Sequence, residues 1–238
     1  MKKRIIACLL CVFCLLSAVG CTSSAPAEAA VSETTASETM VTESPTVEAT
    51  AAAERSASGD YLSSIGGTYV ELFPELSKPE YRQIWIDAVT PLVGAENAEA
   101  TEKYAADPNS MAFDCYFLGG VQKFVMDGSI ITGLDAEGKE IFSHSYQAMD
   151  VENENGFLFY QSEDENSGEF TYFAFSPDSM ETTYHLEFRY AEDINDLQSW
   201  FEGNYAYWNA AGIAENYNLE TMQNVIELFV TENLSSAE

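Results

Sequence analysis

The sequence predicts a mainly β domain with helices at its two ends, preceded by a segment that does not fold. Between about residues 112 and 190, short stretches alternate apolar and polar side chains with the period of a strand. On either side of them, apolar residues recur at the spacing of an amphipathic helix. The chain has 238 residues, of which 46% are hydrophobic and 13% aromatic, which is typical of a globular protein.

The predicted strands are short and are separated by turn signals such as Gly119-Gly120 and Asn155-Gly156. They cover residues 112–118, 121–126, 129–134, 140–149, 156–161, 169–175 and 182–190. Short strands joined by tight turns form a meander, and a meander either closes into an antiparallel β-barrel or folds into a sandwich.

Two helices are predicted before the strands. Ser77 and Glu80 form a capping-box pattern that opens a helix over residues 79–93, which has one apolar face. A shorter helix follows at about 97–106. We expect the first of these helices to pack outside the sheet.

Two further helices are predicted after the strands, each from a capping residue. Asp193 caps a helix that places Phe201 on its apolar face and stops at Gly203. Asn218 caps the last helix, over residues 219–231, which we also expect to pack outside the sheet.

The first 20 residues, 1–20, are predicted to be a lipoprotein signal peptide. Met1–Arg4 is positively charged, and Ile5–Val19 is an uncharged apolar run of the length of a secretory signal. Small residues then lead into Cys21, whose thiol would be lipidated before cleavage makes it the new N-terminus. The alternative is an ordinary signal peptide with an incidental cysteine. We expect lipidation, which places the protein on the extracytoplasmic face of the cell membrane.

Residues 21–59 are predicted to form a disordered tether, and residues 60–238 to form one folded domain. From 22 to 58 the chain is almost entirely Ser, Thr, Ala, Glu, Val and Pro, with no aromatic residue. Such a segment cannot bury enough apolar surface to offset its conformational entropy. As a flexible coil of about 37 residues, it reaches roughly 33 Å from the membrane.

Charge and motif content exclude several classes of function. The chain has 39 acidic and 10 basic residues, a net charge of −29, so we expect it to bind no nucleic acid. It has no phosphate-cradling glycine loop, no nucleophile elbow and no dinucleotide fingerprint. Cys115 lies in an apolar run that favours an inert, buried thiol, and the only histidines are His144 and His185. We therefore predict that the protein is not an enzyme.

The segment that ends in the seventh predicted strand contains the most informative pattern. His185 and Glu187 are two positions apart and therefore share one face of a strand, where an imidazole and a carboxylate can chelate one ion. Asp178, in the preceding turn, can fold back as a third ligand. The alternative is the solvated face of an amphipathic strand, with Glu187 paired to Arg189 or to a neighbouring strand.

Six segments between Gly66 and Val230 also carry a resemblance to a known family. They are Gly67–Tyr69, Gly138–Phe142, Phe173–Ser176, His185–Phe188, Ile194–Leu197 with Trp200, and Glu220–Val230. In them the chain resembles the ZinT (YodA) metal-binding proteins. The resemblance implies a calycin-like, lipocalin-related antiparallel β-barrel with flanking helices. Lipid-anchored relatives are sometimes fused to zinc-capturing proteins of ABC importers, which implies such an importer as a partner.

The resemblance also implies a degenerate metal site. The family binds zinc through a histidine in a Ser-Asp-His stretch and through an H-x-H pair on the following strand. His185 matches the first member of that pair, Glu187 replaces the second, and Asp178 is the nearest counterpart of the upstream histidine. One imidazole and two carboxylates can hold Zn²⁺, and they also suit harder ions such as Mn²⁺.

Two functions of different classes are compatible with these patterns. The first is a membrane-anchored lipoprotein that binds a divalent ion, zinc before others, for capture or delivery to an importer. The second is a barrel that has lost its metal site and binds a small molecule or a cell-surface partner, and an adhesion module without a ligand is a third. Convergence of Asp178, His185 and Glu187 within chelating distance would favour the first.

Overall fold

Eight antiparallel strands close into a barrel in which each strand pairs with its neighbours in the sequence. The structure, a computed structural model, describes residues 61–107, 115–177 and 180–234. The strands are β1 (Gly67–Glu71), β2 (Lys123–Asp127), β3 (Ile130–Leu134), β4 (Glu140–Met149), β5 (Leu158–Ser162), β6 (Tyr172–Phe175), β7 (Leu186–Ala191) and β8 (Ala210–Ala214). Because β1 pairs with both β2 and β8, the sheet has no free edge. The predicted antiparallel barrel is confirmed, and the sandwich is excluded.

Aromatic side chains fill the inside of the barrel. The fully buried ring of Phe124, on β2, has five aromatic neighbours whose centroids lie 4.8–6.2 Å away. These neighbours are Phe117, Phe142, Phe173, Phe188 and Tyr190. An eight-stranded barrel is just wide enough for its own side chains, and here large rings occupy that space. The inside of the barrel is a packed core.

The helices lie outside the barrel. They are α1 (Leu72–Leu76), α2 (Arg82–Val93), α3 (Ala95–Ala105), α4 (Met180–Thr183), α5 (Ile194–Gln198) and α6 (Leu219–Asn233), with 3₁₀ turns at Pro79–Tyr81 and Gly168–Phe170. The first three and α6 form a second apolar cluster against the outer face of β8, through Ala211 and Ile213. We call this the helix cluster. The helices predicted at 79–93, 97–106 and 219–231 are confirmed to within a few residues.

Two of the predicted helix caps are confirmed and one is wrong. The side chains of Asp193 and Asn218 accept hydrogen bonds from backbone N–H groups of the first turns of α5 and α6. Ser77 does not cap α2, because its hydroxyl donates to the carbonyl of Phe73 at 2.8 Å and thereby ends α1. The helix after Asp193 ends at Gln198, so Phe201 lies beyond it and is 70% exposed.

Three of the predicted strands need correction, and two of the observed strands were not predicted. Residues 115–118 of the strand predicted at 112–118 are not a strand but part of a connection, and two strands, β1 and β8, were not predicted. The strand predicted at 169–175 begins as a 3₁₀ turn, and the one predicted at 182–190 begins only at Leu186, because α4 precedes it.

The predicted signal peptide, the tether and Cys21 lie outside the described residues. Within the described ranges, no helix combines the length and the apolar character needed to span a membrane.

Candidate metal-binding site

The pair predicted from the H-x-E spacing lies at the start of β7. Nε2 of His185 is 3.3 Å from Oε1 of Glu187, and the two side chains are 15% and 30% exposed. Asp178, the third predicted ligand, is outside the described residues. Among residues 61–107, 115–177 and 180–234, no three His, Cys, Asp or Glu side chains lie close enough together to hold a metal ion. The structure thus brings two of the three predicted residues together and leaves the third undetermined.

A strained turn sets the position of His185. α4 ends at Thr183, and the next residue, Tyr184, has a φ of 64°, a left-handed conformation that is unusual for a side chain of this size. Tyr184 packs against the helix cluster. The chain enters β7 directly afterwards, so His185 is held between a packed tyrosine and the first paired residue of the strand.

The imidazole of His185 is oriented by the backbone. Its Nδ1 is 2.6 Å from the carbonyl oxygen of Thr183, which can only accept, so Nδ1 donates its hydrogen there. Nε2 therefore faces Glu187. A backbone carbonyl that fixes the tautomer in this way is the usual partner of a metal-binding histidine.

The carboxylate of Glu187 is oriented by an asparagine that no sequence pattern indicated. Nδ2 of Asn209 donates to Oε2 of Glu187 at 3.0 Å, which turns Oε1 toward His185. Asn209 is 4% exposed, and its Oδ1 has no hydrogen-bond partner among the described residues. A buried acceptor without a donor is uncommon and marks a place for a water molecule or an ion.

The distance between the two donors fits a single ion. Zinc binds histidine nitrogen and carboxylate oxygen at about 2.0–2.2 Å. Two donors 3.3 Å apart, each about 2.1 Å from one ion, subtend an angle of about 105° there, which is near the tetrahedral angle. The separation of the two donors therefore matches that of two adjacent ligands of one ion.

The charges around the pair stabilise the ionised forms of both residues. Burial lowers the pKa of His185, but the hydrogen bond and charge of Glu187, the Thr183 carbonyl and the charge of Glu232 outweigh it and raise the pKa above its ordinary value. Burial likewise raises the pKa of Glu187, but His185 and the Asn209 amide outweigh it and lower the pKa. A proton and a divalent ion both bind at Nε2, so the ion competes with the proton there.

The rest of the β7 polar face is not solvated, in contrast to the alternative prediction of a solvated strand. Arg189 is fully buried and does not pair with Glu187. Its guanidinium donates to the carbonyl oxygens of Asp196, Ser199 and Tyr205 at 2.7–3.4 Å and lies 5.0 Å from the centre of the Trp200 ring. The pairing of Glu187 with Arg189 is therefore wrong, whereas the partner of Glu187, Asn209, lies beside the neighbouring strand β8.

The second histidine lies elsewhere. Nδ1 of His144, on β4, is 3.0 Å from Oδ2 of Asp164, and its ring stacks on Phe142. Cys115 is half-buried against the helix cluster. Neither belongs to the group around Glu187.

No family model and no curated protein matches the chain. Among solved structures, the chain is similar to the Zn(II)-bound ZinT-like domain of Streptococcus pneumoniae AdcA, with 14% sequence identity and a TM-score of 0.47, over 71% of this chain and 89% of that one. It is also similar to Zn(II)-bound AdcA from the same organism, with 14% identity and a TM-score of 0.46, over 71% of this chain but only 35% of AdcA. Both likenesses are distant, so the function of this chain has to be inferred from its own residues.

Proposed function

We propose that this protein is a lipid-anchored lipoprotein of the extracytoplasmic membrane face that binds a divalent metal ion, zinc before others, and captures it or delivers it to an ABC-type importer. His185 and Glu187 hold the ion, with Asp178 as a further ligand. The ion is cargo, and no covalent chemistry is assigned to the site.

One observation carries the metal-binding part of the proposal. Nε2 of His185 and Oε1 of Glu187 converge at 3.3 Å, and each side chain is oriented by its own hydrogen-bond partner, Thr183 or Asn209. A solvated surface pair needs no such partners. Hydrogen bonds to neighbouring groups that fix the histidine tautomer and the orientation of the carboxylate are instead typical of metal ligands.

The ligand set and the charge of the chain indicate the kind of ion. One imidazole with carboxylates suits zinc and also harder ions such as Mn²⁺, whereas a site for Cu⁺ would need thiolate or thioether ligands. The net charge of −29 raises the local concentration of cations near the protein without choosing among them.

The alternative function, a barrel that binds a small molecule, gains no support from the described residues. Packed rings such as Phe124 and Phe173 occupy the inside of the barrel, where such a ligand would otherwise lie.

The metal-binding proposal is tested with the full chain, solubilised in detergent and purified without a His tag. Metal-free protein is titrated with zinc and separately with manganese, in competition with a chromophoric chelator. We expect one zinc per chain at the specific site, and much weaker binding in His185→Ala than in the matched control His144→Ala. Equal zinc binding by the two variants would show that the acidic surface collects cations nonspecifically.

The anchoring part is tested separately by membrane fractionation. Cys21→Ala removes the thiol that would be lipidated, so we expect the protein to leave the membrane fraction while the domain stays folded. Cys14→Ala, in the same N-terminal region, is the control and should fractionate like the wild type. Retention of Cys21→Ala in membranes would contradict the lipoprotein assignment.

A further inference from the structure

The connection between α5 and β8 presents aromatic rings to solvent. We call residues 199–207 the aromatic loop. Phe201 is 70% exposed and Tyr207 is 48% exposed, and their rings lie edge to face with centroids 5.7 Å apart. Neighbouring exposed rings form an apolar patch, and such patches mark interaction surfaces, where Phe, Tyr and Trp are enriched.

Contacts with the barrel side hold the aromatic loop in place. Nη2 of Arg189 donates to the carbonyl oxygen of Tyr205 at 2.7 Å. The backbone N–H of Tyr207 donates to the carbonyl oxygen of Trp200 at 2.8 Å and closes the loop. The Trp200 ring stacks on Phe157, with centroids 6.1 Å apart and planes 19° apart. Because the loop is held before binding, less conformational entropy is lost when a partner docks on it.

Tyr207 has a backbone conformation that disfavours a side chain of its size. Its φ is 62°, in the left-handed region, where Asn and Gly are favoured and a tyrosine is rare. Strained residues of this kind cluster at functional sites. The strain is consistent with a ring that is retained for binding rather than for the stability of the loop.

The surface that includes the aromatic loop is acidic. Three segments contribute to it: the loop itself, the turn at 150–157 and the start of α5 at 192–196. Phe157, Ile194 and Tyr205 join the three segments, because all of them pack against one apolar cluster on β5, β6 and β7. The segments contain no Lys or Arg and seven carboxylates, which are Asp150, Glu152, Glu154, Glu192, Asp193, Asp196 and Glu202.

Few cations are available to neutralise these carboxylates. Between residues 140 and 238 the only Lys or Arg is Arg189, which is fully buried. Burial raises the pKa of Tyr205, and the charges of nearby carboxylates, including Asp196 and Glu192, raise it further. The aromatic loop therefore lies in a negative field, which attracts cationic partners and repels anionic ones.

We propose that the aromatic loop is the docking surface for a partner protein, which it binds through a segment of that partner that is both basic and apolar. Lys or Arg side chains of the segment lie against the rings of Phe201 and Tyr207, where cation–π contacts form, and its apolar side chains cover the rest of the patch. The carboxylates around the loop balance the charge of the segment. None of the residues of this surface is a proposed metal ligand, so the inference does not depend on metal binding.

Charge and ring geometry disfavour the other occupants of such a surface. A second copy of the chain has the same net charge of −29, and the segment 21–59 has six Glu and one Arg, so the acidic surface repels both. An anionic lipid surface is repelled for the same reason. A sugar ring stacks on a flat aromatic face, whereas the rings of Phe201 and Tyr207 stand at 77° to each other.

The test selects random peptides displayed on phage against the detergent-solubilised full chain. We expect the enriched peptides to combine Lys or Arg with apolar residues, and we expect added salt to weaken their binding because it screens the charges. The most enriched peptide is then synthesised, and its affinity is measured for the wild type, Phe201→Ser and the control Leu219→Ser. Leu219, at the start of α6, is 64% exposed and lies outside the aromatic loop. We expect Phe201→Ser to weaken binding by at least about tenfold and Leu219→Ser to leave it unchanged.

A second variant separates peptide binding from stability. Tyr207→Asn removes the ring but places a residue that tolerates the left-handed conformation at this position. We therefore expect its thermal midpoint to equal or exceed that of the wild type, whereas its affinity for the peptide falls. A loss of binding in this variant cannot result from unfolding of the domain.

Three results would overturn the inference. The first is a selection that enriches no peptide, or enriches only neutral or acidic ones. The second is equal affinity of the peptide for the wild type, Phe201→Ser and Tyr207→Asn, which would show that the net charge of the chain alone attracts it. The third is binding to a glycan array that is lost in Phe201→Ser while no peptide is enriched, which would assign the loop to a carbohydrate. Each of these results leaves the proposed metal site unaffected.

Discussion

Two polar groups on the outer face of β7, two residues apart, are used in opposite ways. Arg189 is fully buried, and its N–H groups donate to three backbone carbonyls of the segment that comes after β7. The side chain of Glu187 is 30% exposed, and one of its oxygens faces the imidazole nitrogen of His185. The two terminal nitrogens of Arg189 donate within the fold, whereas the side chains of Glu187 and His185 are partly exposed, so that an ion can reach them from solvent.

The difference in burial distinguishes a polar side chain that stabilises the fold from polar side chains that can bind an ion. Burial lowers the pKa of Arg189 to about 10, so the guanidinium still carries its charge at neutral pH and holds the segment around Tyr205 against the barrel. Nε2 of His185 can instead bind either a proton or a metal ion, which compete for it. Substitutions at these positions should therefore separate stability from metal binding.

The largest expected effect is on stability, at Arg189. Arg189→Leu removes the donors for the carbonyls of Asp196, Ser199 and Tyr205, and a buried acceptor left without a donor costs about 1–3 kcal/mol. We expect a loss of about 2–4 kcal/mol in the free energy of unfolding, measured with urea, and unchanged zinc affinity.

Arg82→Leu is the matched control for Arg189→Leu. Arg82 is half exposed, and its ion pairs with Glu99 and Glu102 are 3.4 Å long, so we expect a loss below about 1 kcal/mol. Equal destabilisation by the two substitutions would show that the carbonyl contacts of Arg189 contribute little.

The next effect is on metal-dependent stability, at His185. A ligand that binds only the folded state stabilises it by about 2.7 kcal/mol at a concentration of 100 times Kd. We expect His185→Ala to lose most of the zinc-dependent rise in the thermal midpoint, because it deletes the imidazole, and His144→Ala to keep it. A zinc-dependent rise that survives in His185→Ala would place the ion elsewhere.

The same pair should respond to pH in opposite directions with and without zinc. The raised pKa of His185 contributes stability that is complete below its ordinary value of 6.5 and is lost as the pH rises through the folded-state value. The lowered pKa of Glu187 contributes stability above its ordinary value of 4.5, which is lost as the pH falls through the folded-state value.

In the metal-free protein the pair therefore stabilises the fold most between about pH 4.5 and 6.5. Zinc binding needs the neutral imidazole, so the stabilisation by zinc should instead grow as the pH rises above that window. Thermal midpoints of the wild type and His185→Ala, from pH 4 to about 8 with and without zinc, check both slopes. Parallel slopes with and without zinc would contradict the assignment of His185 as a ligand.

The smallest expected effect is on zinc affinity, at Asn209. This residue donates a hydrogen bond to Glu187 and is not itself one of the two proposed ligands. Asn209→Ala frees Oε2 of Glu187, and we expect zinc affinity to fall by about tenfold, the lower end of the range for residues that orient a ligand. The control is Asn97→Ala. In the wild type the Asn97 side chain donates to the carbonyl of Val93, at the end of α2, and we expect the zinc affinity of this variant to be unchanged. Unchanged affinity in Asn209→Ala would mean that Glu187 needs no orienting partner.

The parts of the fold that the sequence predicts are those with long or clear patterns. β4 was predicted with its observed bounds, because the turn signal Glu137-Gly138 precedes it and Phe142, Tyr146 and Ala148 recur at even spacing on one face. β8 was missed because Ala210–Ala214 consists of small residues apart from Ile213 and is buried on both faces, by barrel rings inside and by the helix cluster outside. A strand that is covered on both sides shows no alternation.

The same reasoning explains which parts of the site were predicted. The H-x-E spacing placed His185 and Glu187 together because it depends only on the period of a strand. Asn209 comes 22 residues after Glu187 and meets it only through the pairing of β7 with β8, a strand that was not predicted.

The most direct test of the account is to locate the ion. Crystals of the protein grown with one equivalent of zinc are measured on both sides of the zinc absorption edge, and the anomalous difference map gives its position. The account predicts one strong peak per chain, within about 2.2 Å of both Nε2 of His185 and Oε1 of Glu187. A peak beside His144 and Asp164, or no ordered peak at all, would contradict it.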